Sequence, residues 1–423
     1  MNSSTSSSTD SQRGNAYEYR LIGLLFLTWG FVFLDRTASA FLFPVIGPAL
    51  QLSNAQLGQI STLTTVGYAV SAIVFGLLAD RIGVKKRLLV PAVLLTGVFT
   101  ALSATADTFS TLVIWRVLTG IAEGPVFPLA MSLVAAQCRS ERLASNTGII
   151  NSGVSIITFI IGPALVTQIA AHASWQWSFV LTAVPSVILA LLLAIFVDEV
   201  KPEPVVRTAG RDAGNHSGFA AIALLLRNRN VVLCMLMCTL NLAGLWISYS
   251  YAPLYWVAVG KLTPERMGWL LSMGGFANLF WVLAIPWLSD RIGRKPAVIA
   301  ASLASAVQLM LLFMVPGSGI AMSAQLLLGG MIGCTPVIYI SVIGMESVPR
   351  RYQATACALI MGPAELLGGT IAPWAAGMIA DRSSLPAAMA LGAGVMFVTA
   401  LIGVGLIETR RRVEETVGAT VVG

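Results

Sequence analysis

Asp35, Arg36, Arg116 and Glu123 are the residues of this chain best placed to do chemistry, because each stands inside a long apolar run. Asp35 and Arg36 interrupt the stretch from Leu21 to Val45, and Arg116 and Glu123 interrupt one that begins near Phe109. About 20 mostly apolar residues suffice to cross a bilayer. A charge at the centre of such a helix costs roughly 2.5–3.5 kcal/mol on insertion scales, so it persists only where it is paired or used. Four such charges point to a pathway for ions or anions. The structural alternative is a salt-bridge cluster, but burying four charges is a costly way to secure packing.

Helical geometry brings the four to one depth. At a rise of 1.5 Å per residue, Asp35 lies roughly 20 Å from the start of its span. The fourth span runs the other way from about Phe109, so Glu123 lies roughly 20 Å below the opposite surface. Both fall near the bilayer midplane, where transporter sites occur. Arg116 and Glu123 are seven residues apart, two turns along one helix face.

The elements that must carry these residues are membrane helices. The chain has 423 residues, 56% of them hydrophobic and only 11% charged, against about 25% charged in a typical soluble domain. Apolar stretches of spanning length recur from Leu21 onward and read as twelve transmembrane helices, an all-α membrane protein. Residues 1–16, rich in Ser and Thr, read as a disordered tail. They are not a cleavable signal, because the apolar run behind them is too long and carries Asp35-Arg36. A polar stretch separates two sets of six spans, giving an N-terminal bundle over 17–198, a cytoplasmic linker over 199–230 and a C-terminal bundle over 231–409. The end of the linker, Phe219 to Arg227, has the composition of a surface-lying amphipathic segment, and 410–423 forms a cytoplasmic tail.

The net charge of +7 reflects topology rather than a nucleic-acid surface. With the N-terminus inside, nearly all Lys and Arg fall in cytoplasmic segments, including Arg81, Lys85, Lys86, Arg139, Arg142, Arg291, Arg294, Arg350 and Arg410 to Arg412. The other side holds Lys261, Arg266 and Arg382. This is the positive-inside bias, and it puts both termini in the cytoplasm. The five cysteines lie within or at the ends of apolar runs with no zinc-like spacing, and Cys234 and Cys238 read as packing side chains rather than a redox pair. No cofactor is implied.

The chain repeats internally. Gly76-Leu-Leu-Ala-Asp80-Arg81-Ile-Gly83-Val-Lys85-Lys86 recurs as Pro286-Trp-Leu-Ser-Asp290-Arg291-Ile-Gly293-Arg294-Lys295, an offset of 290 − 80 = 210. Gly162-Pro163 and Ala372-Pro373 keep the same spacing, 373 − 163 = 210, as do Gly120 and Gly330. Two pseudo-symmetric six-helix bundles are the architecture of many secondary transporters. In the motif, Gly76 and Gly83 permit close packing and a tight turn. Asp80 is suited to meet a helix N-terminus or a basic partner. Such a contact holds the cytoplasmic side closed in one state and breaks in the other; the alternative is that the motif only sets topology and a turn.

On that motif the chain resembles the major facilitator superfamily over about residues 20 to 410. Within it, Phe33-Leu34-Asp35-Arg36 and Arg116-Val-Leu-Thr-Gly120-Ile-Ala-Glu123-Gly124-Pro125 are similar to the anion:cation symporter family, proton-coupled importers of sugar acids and other organic anions. The resemblance implies that Arg36 contacts a substrate carboxylate, that Asp35 and Glu123 titrate, and that Arg116 partners them. It also places Tyr68 near the substrate. Val32-Phe33 stand where the family usually has Tyr or Asn, which removes a hydrogen-bond partner for a sugar hydroxyl. The coupling expected is protonation of Asp35 and Glu123 on the outer side, freeing a guanidinium for the anion, then proton loss and anion release inside.

The second half contrasts with the first. Leu245, Trp246 and Gly333 match Asp35, Arg36 and Glu123, and no second arginine lies in an apolar run there, which favours a monocarboxylate over a dicarboxylate. Trp246 and Tyr249 either form a wall for a ring or belong to an interfacial aromatic belt. Glu365 is either a further titrating group or a side chain reaching a polar cavity. The partners expected are thus a small organic anion, protons and the lipid bilayer, with no nucleic acid. The chain is expected to work as a monomer in a bacterial cytoplasmic (inner) membrane.

Two other readings remain at this point. A proton-driven drug or metabolite exporter shares the repeated motif and the Arg116-x-x-x-Gly120 spacing, but the Gly162-Pro163 region matches its glycine-rich signature only in part. A transporter-like sensor needs a larger cytoplasmic segment than Asp198 to Asn230. No triad, metal cluster or phosphate loop suggests an enzyme.

Overall fold

The computed structural model describes residues 4–82, 85–139, 142–199, 218–315, 318–349 and 352–409, with the backbone alone at 4–14, 76, 77, 79–82, 144, 218–221, 313, 341 and 354. Among them there is no strand. Twelve helices are long and apolar enough to span a membrane. They are α1 (Asn15–Ala49), α2 (Asn54–Phe75), α3 (Lys86–Thr105), α4 (Phe109–Gln137), α5 (Ser145–His172) and α6 (Trp175–Phe196) in the first half. The second half holds α7 (Arg229–Ala258), α8 (Pro264–Ile292), α9 (Arg294–Leu312), α10 (Gly319–Glu346), α11 (Thr355–Arg382) and α12 (Leu385–Gly403). Large apolar side chains stand exposed on them, Ile195 at 71% and Leu283 at 72%. Lipid can solvate such a surface while the helices satisfy their own backbone.

The helix containing α1 continues back to Ser4, through the Ser- and Thr-rich stretch that composition favours as a disordered tail. Extending an existing helix avoids the cost of nucleation. Of the linker, the short helix Gly218–Leu225 and the residues beside α7 are described; residues 200–217 and the tail 410–423 lie outside the described residues, as do Arg350 and Gly83.

Two compact units emerge from the contacts, Met1–Ser39 with Leu63–Val206, and Ala40–Thr62 with Arg207–Gly423. The first has its own apolar core, built from Leu25, Trp29, Val93, Leu129, Leu133, Ile150 and Leu193. The second is built around Met237, Cys238, Ile285, Val298, Ile338 and Ile360. Chain order alone places the division in the linker, yet Ala40–Thr62 groups with the second unit. Specific bonds account for it. Asp381 accepts from the backbone N–H groups of Asn54 (2.9 Å) and Ala55 (2.8 Å) and from the Asn54 amide (2.9 Å), capping the start of α2. The buried Tyr251 hydroxyl lies 3.0 Å from the Asn54 carbonyl and 2.9 Å from that of Pro373.

The repeat of the sequence is also a repeat of backbone irregularity. α5 is π-helical over Val154–Ile161 and α11 over Ala364–Ile371, again 364 − 154 = 210 apart. These two segments each precede a proline, Pro163 or Pro373, whereas a third, Ile338–Ile343 in α10, follows Pro336. Proline lacks the N–H for the i−4 carbonyl and its ring crowds that turn, so the helix widens there.

Candidate functional site

In the first unit, α1 carries Asp35 and Arg36, and α4 carries Arg116 and Glu123; Arg36 is 6% exposed and the other three 0%. Glycines allow this convergence. A Cβ at Gly30 of α1 would stand 2.8 Å from the Gly153 carbonyl oxygen of α5, and Thr158 donates to the Gly30 carbonyl at 2.8 Å. Between α2 and α4, a Cβ at Gly120 would overlap the Thr64 carbonyl, and one at Gly124 would overlap Ser71 Oγ and the Tyr68 carbonyl. The α4 backbone therefore lies directly on α2, with Gly124 against the Tyr68 carbonyl. The turn at Gly124-Pro125 follows Glu123 immediately.

Arg36 is the centre of the cluster. Its Nη1 lies 3.8 Å from Glu123 Oε1, and its Nη2 donates to Thr65 Oγ1 at 3.5 Å. The guanidinium carbon sits 4.3 Å from the Tyr68 ring centroid and 5.6 Å from that of Phe33, within cation–π range of both. Phe33 in turn meets Trp29 and Phe159 edge to face, at 5.7 and 6.1 Å. One cation is thus held between two aromatic faces with a carboxylate and a hydroxyl at its edge. A planar guanidinium in this setting can take a carboxylate through two parallel N–H bonds.

Arg116 behaves differently from the ion-pair partner that the resemblance implies. Its Nη2 donates to the backbone carbonyls of Asp35 and Arg36, both at 2.8 Å, and its guanidinium carbon is 5.7 Å from the Phe179 ring. It ties α4 to the α1 backbone at the residues that carry the charges. Asp35 points its carboxylate elsewhere: Oδ2 accepts from Ser186 Oγ of α6 at 2.6 Å. Glu123 accepts no hydrogen bond among the described residues at either oxygen.

The second unit's candidates form a separate group. Trp246 and Tyr249 of α7 meet edge to face at 5.9 Å. Trp246 Nε1 and Glu365 Oε2 stand 3.3 and 3.2 Å from where a Cβ would sit on Gly369. At Gly333, the counterpart of Glu123, the Asn278 amide and the Tyr249 hydroxyl approach the same empty Cβ position, at 3.0 and 3.4 Å. Asn241 donates to Thr335 Oγ1 at 2.7 Å nearby in the sequence of contacts along α7 and α10.

Of the repeated motif, the side chains of Gly76, Asp80 and Arg81 and all of Gly83 lie outside the described residues. The second copy is visible. Gly293 has φ +103°, a conformation that favours glycine, and a Cβ there would meet Glu408 Oε2 at 2.8 Å. Arg294 pairs with Asp290 and, at 3.0 Å, with Glu346, while Arg291 lies over the Trp287 ring at 4.1 Å. Glu408 accepts from the N–H groups of Arg294 and Lys295 at 2.9 and 3.0 Å, capping α9. Glu199 does the same for α3, accepting from Lys85, Lys86 and Arg87 at 2.8, 3.0 and 2.9 Å. Sequence reasoning missed both, although 408 − 199 = 209 equals the spacing of Lys86 and Lys295, the signal that would have found them. Ser186 gave no signal, being one of three hydroxyls, with Ser178 and Thr182, in a helix that carries no charge.

The sequence and the helical fold have counterparts among known proteins. A profile of the Major Facilitator Superfamily matches residues 25–363. The chain belongs to that superfamily. It is a multi-pass membrane transporter rather than an enzyme. A hexuronate transporter of Bacillus subtilis is 30% identical over 279 residues, covering 66% of this chain and 65% of that relative. A 4-hydroxybenzoate transporter of Pseudomonas putida is 31% identical over 206 residues, 46% of this chain and 43% of that one. A crystal structure of a D-xylose–proton symporter shares the fold, with a TM-score of 0.74 at 17% identity over 93% of this chain and 98% of that chain.

Proposed function

We propose that this superfamily member imports an organic monocarboxylate together with protons, by exposing the Arg36 site alternately to the two sides of a bacterial inner membrane. Both termini lie in the cytoplasm, and a single chain suffices. The observation that carries the reading is the buried Arg36 guanidinium, framed by Tyr68 and Phe33 with Glu123 at 3.8 Å. Relatives named for hexuronate and for 4-hydroxybenzoate transport support the substrate class.

The chemistry follows from competition for one cation. An ionised Glu123 and a substrate carboxylate seek the same guanidinium. Protonation of Glu123 on the outer side releases Arg36 to the substrate. Proton loss on the inner side restores the pair and expels the anion. Asp35 supplies a second proton-accepting group one residue away, and Arg116 holds the α1 backbone so that both side chains keep their places. Thr65 and Tyr68 shape the entry to Arg36. Within the second unit, Trp246 and Tyr249 are assigned to substrate binding and Glu365 to proton transfer, and Gly76, Asp80, Arg81 and Gly83, with Asp290, Arg291 and Gly293, act in gating. The two ring faces at Arg36 suit an acid with a flat apolar body.

The test is uptake into proteoliposomes under an imposed pH gradient, with labelled hexuronate and 4-hydroxybenzoate as probes beside short hydroxy acids. Gradient-driven uptake that Arg36→Ala abolishes is expected. Uptake indifferent to the gradient removes proton coupling, and efflux of cationic drugs in place of acid uptake favours the exporter reading.

A further inference from the structure

Asp35 poses a problem that the cluster around Arg36 does not solve. Its side chain is fully buried, and the Arg116 guanidinium spends its Nη2 donor on the backbone carbonyls of Asp35 and Arg36. Among the described residues, the one hydrogen bond to its carboxylate comes from Ser186 Oγ, 2.6 Å from Oδ2. Ser186 is itself 0% exposed, on a helix with no charged residue from Trp175 to Phe196. The charged groups facing Asp35 are Arg116 and Glu123 on α4; α6 adds none.

We propose that Ser186 is a positioning residue for proton coupling, whose hydroxyl remains bonded to Asp35 whether or not the carboxyl carries its proton. This inference rests on the proton-coupled reading above. A hydroxyl has one donor and two acceptor sites. With Asp35 ionised, Ser186 donates to Oδ2. When Asp35 takes up a proton on Oδ2, that O–H becomes the donor and Ser186 Oγ the acceptor. The serine hydrogen then turns to the Thr182 carbonyl one turn back, a bond serines readily make inside helices. The proton count changes by one on Asp35 and by none on Ser186. An alanine leaves the buried carboxyl without a partner in either state, and a buried group without a hydrogen bond is costly to keep. A residue with only a donor, or only an acceptor, would favour one state and stall the cycle.

The experiment compares Ser186→Ala, Ser186→Thr and Ser186→Cys with the wild type in proteoliposomes, using labelled hexuronate and 4-hydroxybenzoate. Two rates are read: uptake driven by a pH gradient, and exchange at equal pH, which needs no net proton movement. The expected result is that Ser186→Ala lowers gradient-driven uptake about tenfold or more, as loss of a hydrogen bond to a charged group implies. Exchange falls far less, and Ser186→Thr restores coupling. Equal loss of both rates without rescue by threonine overturns the proposal in favour of a packing role, and unchanged gradient-driven uptake in Ser186→Ala overturns it outright. Should Ser186→Ala fail to fold, Ser186→Cys decides: weakened coupling with exchange kept supports the role, parity with wild type refutes it. A wild-type protein indifferent to the gradient is the failure of proton coupling itself, and is visible before any variant is made.

Discussion

Replacing Glu123 by glutamine is expected to free Arg36 from its competitor. Arg36 Nη1 lies 3.8 Å from Glu123 Oε1, both buried. Two unit charges about 4 Å apart interact by about 4 kcal/mol at an effective dielectric constant of 20. The whole binding free energy of a millimolar ligand is also about 4 kcal/mol. An ionised Glu123 and a substrate carboxylate therefore compete on comparable terms, and the proton decides the outcome. In the wild type, affinity for the transported acid falls as pH rises and Glu123 ionises. In Glu123→Gln the neutral amide cannot compete, so affinity at alkaline pH rises by about tenfold or more, a change of about 1.4 kcal/mol, and most of the pH dependence disappears. Gradient-driven accumulation falls sharply, because Asp35 alone remains to titrate and no carboxylate returns to Arg36 when the proton leaves. Calorimetric titration of the purified protein across the mildly acidic to mildly alkaline range reads the affinity, and proteoliposome uptake reads the coupling. A variant with wild-type pH dependence, or one that accumulates substrate at full rate, refutes the competition.

Four further outcomes follow from the same contacts. Arg116→Lys is shorter and withdraws the nitrogen that meets two carbonyls, each bond from a charged donor being worth about 1.5–3 kcal/mol; the melting temperature in detergent drops while affinity changes little, the reverse of Arg36→Lys. Gly124→Ala forces a Cβ into Ser71 and the Tyr68 carbonyl, and overpacking of about 1–3 kcal/mol lowers the folded yield measured by size-exclusion chromatography. Glu408→Ala removes the cap of α9 and costs about 0.5–2 kcal/mol, read as a lower melting temperature that Glu408→Asp partly recovers. Cys138, just past the end of α4, has its thiol pushed up to about 11, first by burial and then by Glu18. The thiolate is the reactive form, so maleimide labelling of Cys138 is slow at neutral pH and accelerates as pH rises toward that value; rapid labelling at neutral pH contradicts the placement.

Much of this architecture is written in hydropathy and spacing. Spans of 20 or more apolar residues announce themselves because the bilayer demands them, and the offset of 210 between Asp80 and Asp290 reappears in the π-helical segments of α5 and α11. Asp35, Arg36 and Glu123 were legible because a charge in an apolar run is improbable without a use. What the sequence withheld was direction. Seven residues between Arg116 and Glu123 put them on one helix face, yet no spacing rule says that Arg116 reaches across to the carbonyls of α1. Ser186 was hidden because hydroxyls in an apolar helix are commonplace, Ser178 and Thr182 standing on the same one, and its partner lies 151 positions away. The grouping of Ala40–Thr62 with the second unit was equally hidden, since it depends on Asp381 and Tyr251, far along the chain, meeting the start of α2.

The most direct measurement is the affinity of the purified wild type and of Arg36→Ala for the transported acid and for its neutral amide. The expected result is that the wild type prefers the acid by about tenfold or more, the worth of a charge-assisted contact, and that Arg36→Ala binds acid and amide alike. An Arg36→Ala protein that is folded and still prefers the acid shows that the carboxylate is held by another group.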